Sequence, residues 1–144
     1  MSRGPCAGWA LCLSAAIASF SIPSCAGVES QRETLARDQT MKEGVQLMLE
    51  EIYASRKPVR FEQIDVAETV MRHIPLGTDK AVIYDSFKSL GTAKIIEDSP
   101  DRLVIRDNKG QAMLDPDARS IVMTFLFDAG SKLSKVEALH LKNQ

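Results

Sequence analysis

The feature that most constrains this fold is a change of hydrophobic period near Gly91. Before it, apolar residues recur at helical spacing; after it, they alternate. Ser120 to Asp128 is the clearest stretch. Ile121, Met123, Phe125 and Phe127 fall on one face of an extended chain, and Val122, Thr124 and Leu126 fall on the other. Successive side chains of a strand point to opposite faces, so a strictly alternating strand commits one set to a core and leaves the other to solvent or a partner.

The helical part begins at about Thr34 and runs to Ser55. Met41, Val45, Met48, Leu49 and Ile52 make one stripe of a 3.6-residue period, and Lys57-Pro58 ends it. A second helix is expected from Asp65, with Asp65 and Glu68 as its start signal and Val66, Val70 and Ile74 as its buried stripe; Pro75 stops it. Thr78 is expected to cap a third helix whose stripe is Ile83, Phe87 and Leu90, with Gly91 closing it.

Strands follow at Ala93–Glu97, Arg102–Arg106, Ser120–Asp128 and about Lys132–Leu141, with Asp98-Ser99-Pro100-Asp101 and Asp128-Ala129-Gly130-Ser131 as tight turns. Adjacent, turn-linked strands pair antiparallel. The expected fold is α+β: N-terminal helices packed on one face of a small antiparallel sheet of three to four strands. Phe125 and Phe127 should meet the Phe87 and Leu90 stripe. Val122, Thr124 and Leu126 are then the candidate partner surface.

The first 27 residues are of another kind. Arg3 precedes a run from Cys6 to Pro23 without a charge, and Ser24, Cys25, Ala26 and Gly27 are all small. This is the pattern of an export signal, and the run is too short and too broken by serines to span a bilayer. Ile22-Pro23-Ser24-Cys25 resembles a bacterial lipobox. That resemblance implies a diacylglycerated Cys25 left as the first residue after cleavage, and Ala26 in place of Asp implies sorting to the outer membrane. The competing cleavage follows Ala26 and leaves a soluble periplasmic or secreted protein. Cysteine arithmetic favours the lipobox, because Cys6 and Cys12 leave with the signal and a lone free thiol at Cys25 would be a liability outside the cytoplasm. The expected division is 1–24 as signal peptide, 25–34 as lipidated cysteine and tether, and 35–144 as one α+β domain.

Chemistry-bearing patterns are sparse. His73 and His140 are the only histidines, and neither has a cysteine or carboxylate at metal-ligand spacing. Asp115-Pro116-Asp117 lacks the run of a calcium loop, Leu76-Gly77-Thr78-Asp79-Lys80 lacks phosphate-cradle spacing, and no nucleophile elbow occurs. No catalytic residue, cofactor or metal site is expected. Eighteen basic against nineteen acidic residues, and 6% aromatics, argue against nucleic acid as a partner.

The order of helices and antiparallel strands behind a lipobox resembles the small outer-membrane lipoproteins of the SmpA/OmlA type, the BamE-like accessory subunits of the barrel-assembly machine. The residues that carry the likeness are Gly77-Thr78 and Leu90-Gly91 around the third helix and Phe127-Asp128, Gly130 and Leu133 around the last hairpin. It implies an outer-membrane-anchored, non-catalytic adaptor with a protein partner in the envelope. The alternative is a periplasmic immunity or inhibitor protein that neutralises a toxin or enzyme.

Overall fold

A computed structural model describes residues 26–111 and 114–142. Three helices, α1 (Ala26–Ala54), α2 (Ala67–His73) and α3 (Lys80–Lys88), accompany five strands. These are β1 (Gln63–Asp65), β2 (Ala93–Ser99), β3 (Arg102–Lys109), β4 (Arg119–Phe127) and β5 (Leu133–Lys142). They form one antiparallel sheet in the order β1-β5-β4-β3-β2. The α+β reading holds at that level, and the sheet has five strands rather than three to four.

The fifth strand is β1, whose three residues pair with Leu139 to Leu141 of β5. Asp65 therefore ends a strand instead of opening a helix. It still serves α2, because its carboxylate accepts the Ala67 N–H at 2.9 Å. Thr78 is likewise not the cap of α3: its hydroxyl donates to the Pro75 carbonyl at 2.7 Å, and Asp79 occupies the cap position without a side-chain hydrogen bond. The turn between α2 and α3 is tied to β5 instead, through Gly77 N–H to the Leu133 carbonyl at 2.8 Å and Leu133 N–H to the Thr78 carbonyl at 2.9 Å. Residues 26–34 are helical and continue into the rest of α1.

Helix α1 ends where its last carbonyls find other donors. Ser55 N–H bonds the Glu51 and Ile52 carbonyls, and the Arg119 guanidinium of β4 donates to the Tyr53 carbonyl at 3.0 Å. The β4–β5 turn is closed by Asp128, whose carboxylate accepts the Gly130 and Lys132 N–H groups at 2.9 Å each. The left-handed residue there is Ser131, at φ 59°, not the neighbouring glycine.

The core joins Val45, Met48 and Ile52 of α1, Val70 of α2 and Ile83 and Phe87 of α3 to Leu103, Ile105, Ile121, Met123 and Phe125 of the sheet. All eleven are at most 1% exposed. The rings of Phe87 and Phe125 meet at 5.8 Å, as the two stripes require. Phe127 is also buried, and Leu90 packs against the cluster from a partly buried position.

Candidate functional site

The alternation of β4 sorts its side chains as expected. Ile121, Met123, Phe125 and Phe127 are buried, while Val122, Thr124 and Leu126 are half-buried. Register places further residues beside them. Val122 stands between Arg106 of β3 and Leu139 of β5, Thr124 between Val104 and Glu137, and Leu126 between Arg102 and Lys135. Ser120 and Leu141 pair at the β1 end of the same face. Cross-strand neighbours of this kind stand about 5 Å apart, so these side chains form a continuous surface.

That surface has an apolar centre and polar margins. Val104 is only 8% exposed and Leu139 is 37% exposed. The margin charges are matched internally. Lys135 bonds Glu137 at 2.7 Å, which holds the Glu137 carboxyl below the ordinary carboxylate range, and Arg102 stands 3.5 Å from Glu97. Arg106, beside Val122, reaches toward the next pair on this face, with Nε on Asn108 at 3.1 Å and Nη2 on Ser120 at 3.2 Å. The contributions of Val104, Leu139 and Leu141 were not evident from β4 alone. Their own strands alternate imperfectly, and only register puts them in the row.

The core face carries a polar corner that sequence reading did not find. The Tyr53 hydroxyl donates to Asp107 Oδ2 at 2.7 Å. Asp107 is 2% exposed and Arg119 6%. The guanidinium of Arg119 lies 5.5 Å from the Tyr53 ring centre, and the Lys109 ammonium 5.2 Å from it. His140, fully buried, meets the same ring edge-on at 5.6 Å. Asp107 Oδ1, Arg119 Nε and both ring nitrogens of His140 have no hydrogen-bond partner among the described residues. These four residues are scattered along the chain, so no spacing signal announces them.

The chemistry of the corner follows from burial. Desolvation and the bond to Asp107 raise the Tyr53 phenol, so it stays a neutral donor. Desolvation, with the Arg119 charge second, pulls His140 down to about 4. A neutral imidazole could act as a base at pH 7, but this ring has no exposed surface for a substrate to approach. The corner couples protonation to folding.

The other histidine is structural at the surface. His73 Nε2 lies 2.9 Å from one Glu51 oxygen, and Arg72 donates to the other at 2.6 Å. The His73 and Arg72 bonds hold the Glu51 carboxyl below its ordinary value and tie α2 to α1. An open groove of about 780 Å³ runs beside this pair, lined by Met41 and Gly44 of α1 and by Gly77, Thr78 and Val82. Among the described residues no group of three or more His, Cys, Asp or Glu side chains is placed to hold a metal ion, and no helix is long and apolar enough to cross a membrane. The lipobox-like Ile22 to Cys25 lies outside the described residues.

Residues 49–144 match the model of a family of unknown function, DUF6393, and the chain belongs to that family. The match starts in the second half of α1 and takes in the whole sheet, the polar corner and the Val122 face. No curated protein and no solved structure matches the chain.

Proposed function

We propose that this DUF6393 chain is a non-catalytic binding module of the bacterial envelope, held at the outer membrane by a lipidated Cys25 and offering its sheet face to a protein partner. In this reading the helices cover one face of the sheet and leave the other for the partner. The observation that carries it is the half-buried row Val122, Thr124 and Leu126, flanked by Val104 and Leu139, directly behind a fully buried inner row. An interface core needs such a centre, with charges kept to its rim. The internal pairing of the rim charges supports a partner that docks by shape and apolar contact rather than by opposite charge.

The anchor rests on the lipobox-like sequence at Ile22 to Cys25. Two or more acyl chains on one cysteine hold a protein at a membrane durably, since each buried methylene contributes about 0.8 kcal/mol. The adaptor role also draws on the resemblance to BamE-like lipoproteins.

Two experiments test the two halves separately. Thr124→Lys combined with Leu126→Glu should abolish capture of the partner from solubilised envelopes and leave the circular-dichroism spectrum unchanged. Undiminished capture by the folded double variant would remove the sheet face from the proposal. Cys25→Ala should abolish incorporation of labelled palmitate and release the protein into the soluble fraction. A wild-type chain that takes up no label would refute the anchor.

A further inference from the structure

We propose that Gly44 is a hinge in α1, on which the part of the helix before it moves toward the α2–α3 turn and closes the groove between them. The helix changes character at this residue. Among its described side chains from Glu33 to Gly44, none is buried. Val45 follows at once at 0% exposed, and Met48 and Ile52 are at most 1% exposed. The polar ties change at the same place. Beyond the glycine, Glu51 holds Arg72 and His73 of α2, Tyr53 donates to Asp107 of β3, and the Tyr53 carbonyl accepts from Arg119 of β4. Before it, none of the described side chains from Leu35 to Glu43 makes a hydrogen bond or ion pair with a described group outside α1, and the Thr40 hydroxyl turns back to the Ala36 carbonyl at 2.9 Å. Among the described residues of this arm, Met41 alone packs against the core cluster, from a partly buried position. A segment with so few buried contacts opens at low cost compared with the half that is pinned to the sheet.

The static fold gives the glycine no reason to be there. A Cβ built at Gly44 meets no atom within 4 Å, and the backbone at that position is helical. Neither crowding nor a left-handed backbone requires glycine, and in a helix interior it is less stable than alanine. What it adds is backbone freedom, and a residue that absorbs the rotation of a hinge needs that freedom. Its place, directly before the first buried residue of α1, lets the arm bend without disturbing the core.

The groove gives the arm room to move. Its volume is about 780 Å³, and Ala36, Thr40 and Gly44, one face of the arm at i, i+4 and i+8, line one wall. Gly77, Thr78 and Val82 line the other. Side chains this small on both walls let the two backbones approach closely, and closure buries the exposed part of Met41. The charged side chains at the groove are Arg37 and Asp38 on the arm and Arg72 and Asp79 opposite. Each wall therefore carries both signs, and repulsion does not hold the groove open. The hinge stands whether or not Cys25 carries lipid.

The test measures the gap in the full chain, with Cys6, Cys12 and Cys25 changed to serine and spin labels placed through Leu35→Cys and Leu76→Cys. Both leucines are more than half exposed, so the labels leave the core intact. Double electron–electron resonance should give a broad or two-peaked distance distribution. Adding Gly44→Ala, for which the structure has room, should collapse it to one narrow peak. A control pair within the domain, Leu76→Cys with Leu139→Cys, should be narrow with either residue at position 44. Hydrogen exchange separates a hinge from a fraying helix end. The amides of residues 37–43 should be protected in the chain that keeps Gly44, and Gly44→Ala should slow their exchange about fivefold. A single narrow Leu35–Leu76 distribution in the Gly44 chain would overturn the proposal, and so would a breadth that Gly44→Ala leaves unchanged. Unprotected amides at 37–43 would mean that the arm unravels instead of moving as a helix, which also refutes the hinge.

Discussion

Acid should unfold this domain partly through one residue, and the size of the effect can be worked out. His140 is fully buried, and neither ring nitrogen has a hydrogen-bond partner among the described residues. It meets the Tyr53 ring of α1 edge-on and feels the charge of Arg119 from β4, while Asp107 of β3 accepts from the Tyr53 hydroxyl and Lys109 stands 5.2 Å from the Tyr53 ring centre. Its folded pKa of about 4 lies below the 6.5 of the unfolded chain. The unfolded state therefore binds the proton first, and stability falls as pH drops through the window from 6.5 to 4. At 1.36 kcal/mol per unit the full loss is about 3 kcal/mol, of which about 2 is reached by pH 5. A domain of this size holds roughly 5–15 kcal/mol in total, so the change is large. The assay is urea unfolding from pH 7.5 to 4 for the wild type and for His140→Leu, which keeps an apolar side chain of similar reach. The difference between the two profiles isolates His140 from the carboxylates. Glu51 and Glu137, whose folded values are lowered, contribute stability that is lost only below the ordinary carboxylate range. The variant should lose the slope between pH 6.5 and 4.5 and match or exceed the wild type at pH 7, since it removes an unpartnered buried polar ring. Parallel profiles would refute the reasoning and show that the imidazole is paired or hydrated in solution.

Phe125→Ala should cost about 3–5 kcal/mol in urea unfolding, because the ring is fully buried against Phe87, whereas Leu126→Ala on the half-buried row should cost well under half as much. Equal losses would mean that both sheet faces are covered. Tyr53→Phe should cost about 1–3 kcal/mol by leaving Asp107 without its donor, and adding Asp107→Leu should return part of it; a fully additive double variant would mean that the two side chains do not interact. Gly110→Ala should lower the melting temperature more than a surface substitution does. Gly110 has φ 81°, and a methyl group there meets the Asp115 carboxylate and Ala118 Cα at 3.2 Å. An unchanged melt would show that the loop yields freely.

Local pattern determined much of this protein. The alternation from Ile121 to Phe127 assigned each of those seven side chains to its face, while Arg119 and Ser120 at the start of β4 are both buried. Pro75 stopped α2, and the Asp128 to Ser131 turn followed from residues that bond their own backbone. These signals are legible because their causes, side-chain period and local hydrogen bonding, lie within a few residues of one another. Tertiary structure decided the rest. Gln63-Ile64-Asp65 is too short to announce itself and becomes a strand only where β5 presents a free edge. Tyr53, Asp107, Arg119 and His140 form a corner because helix packing and strand register bring distant positions together. Val104 and Leu139 join Val122 on the outer face for the same reason. The left-handed Phe61 is a choice of the folded chain, since turn closure by Glu62 imposes a backbone angle that its sequence alone disfavours.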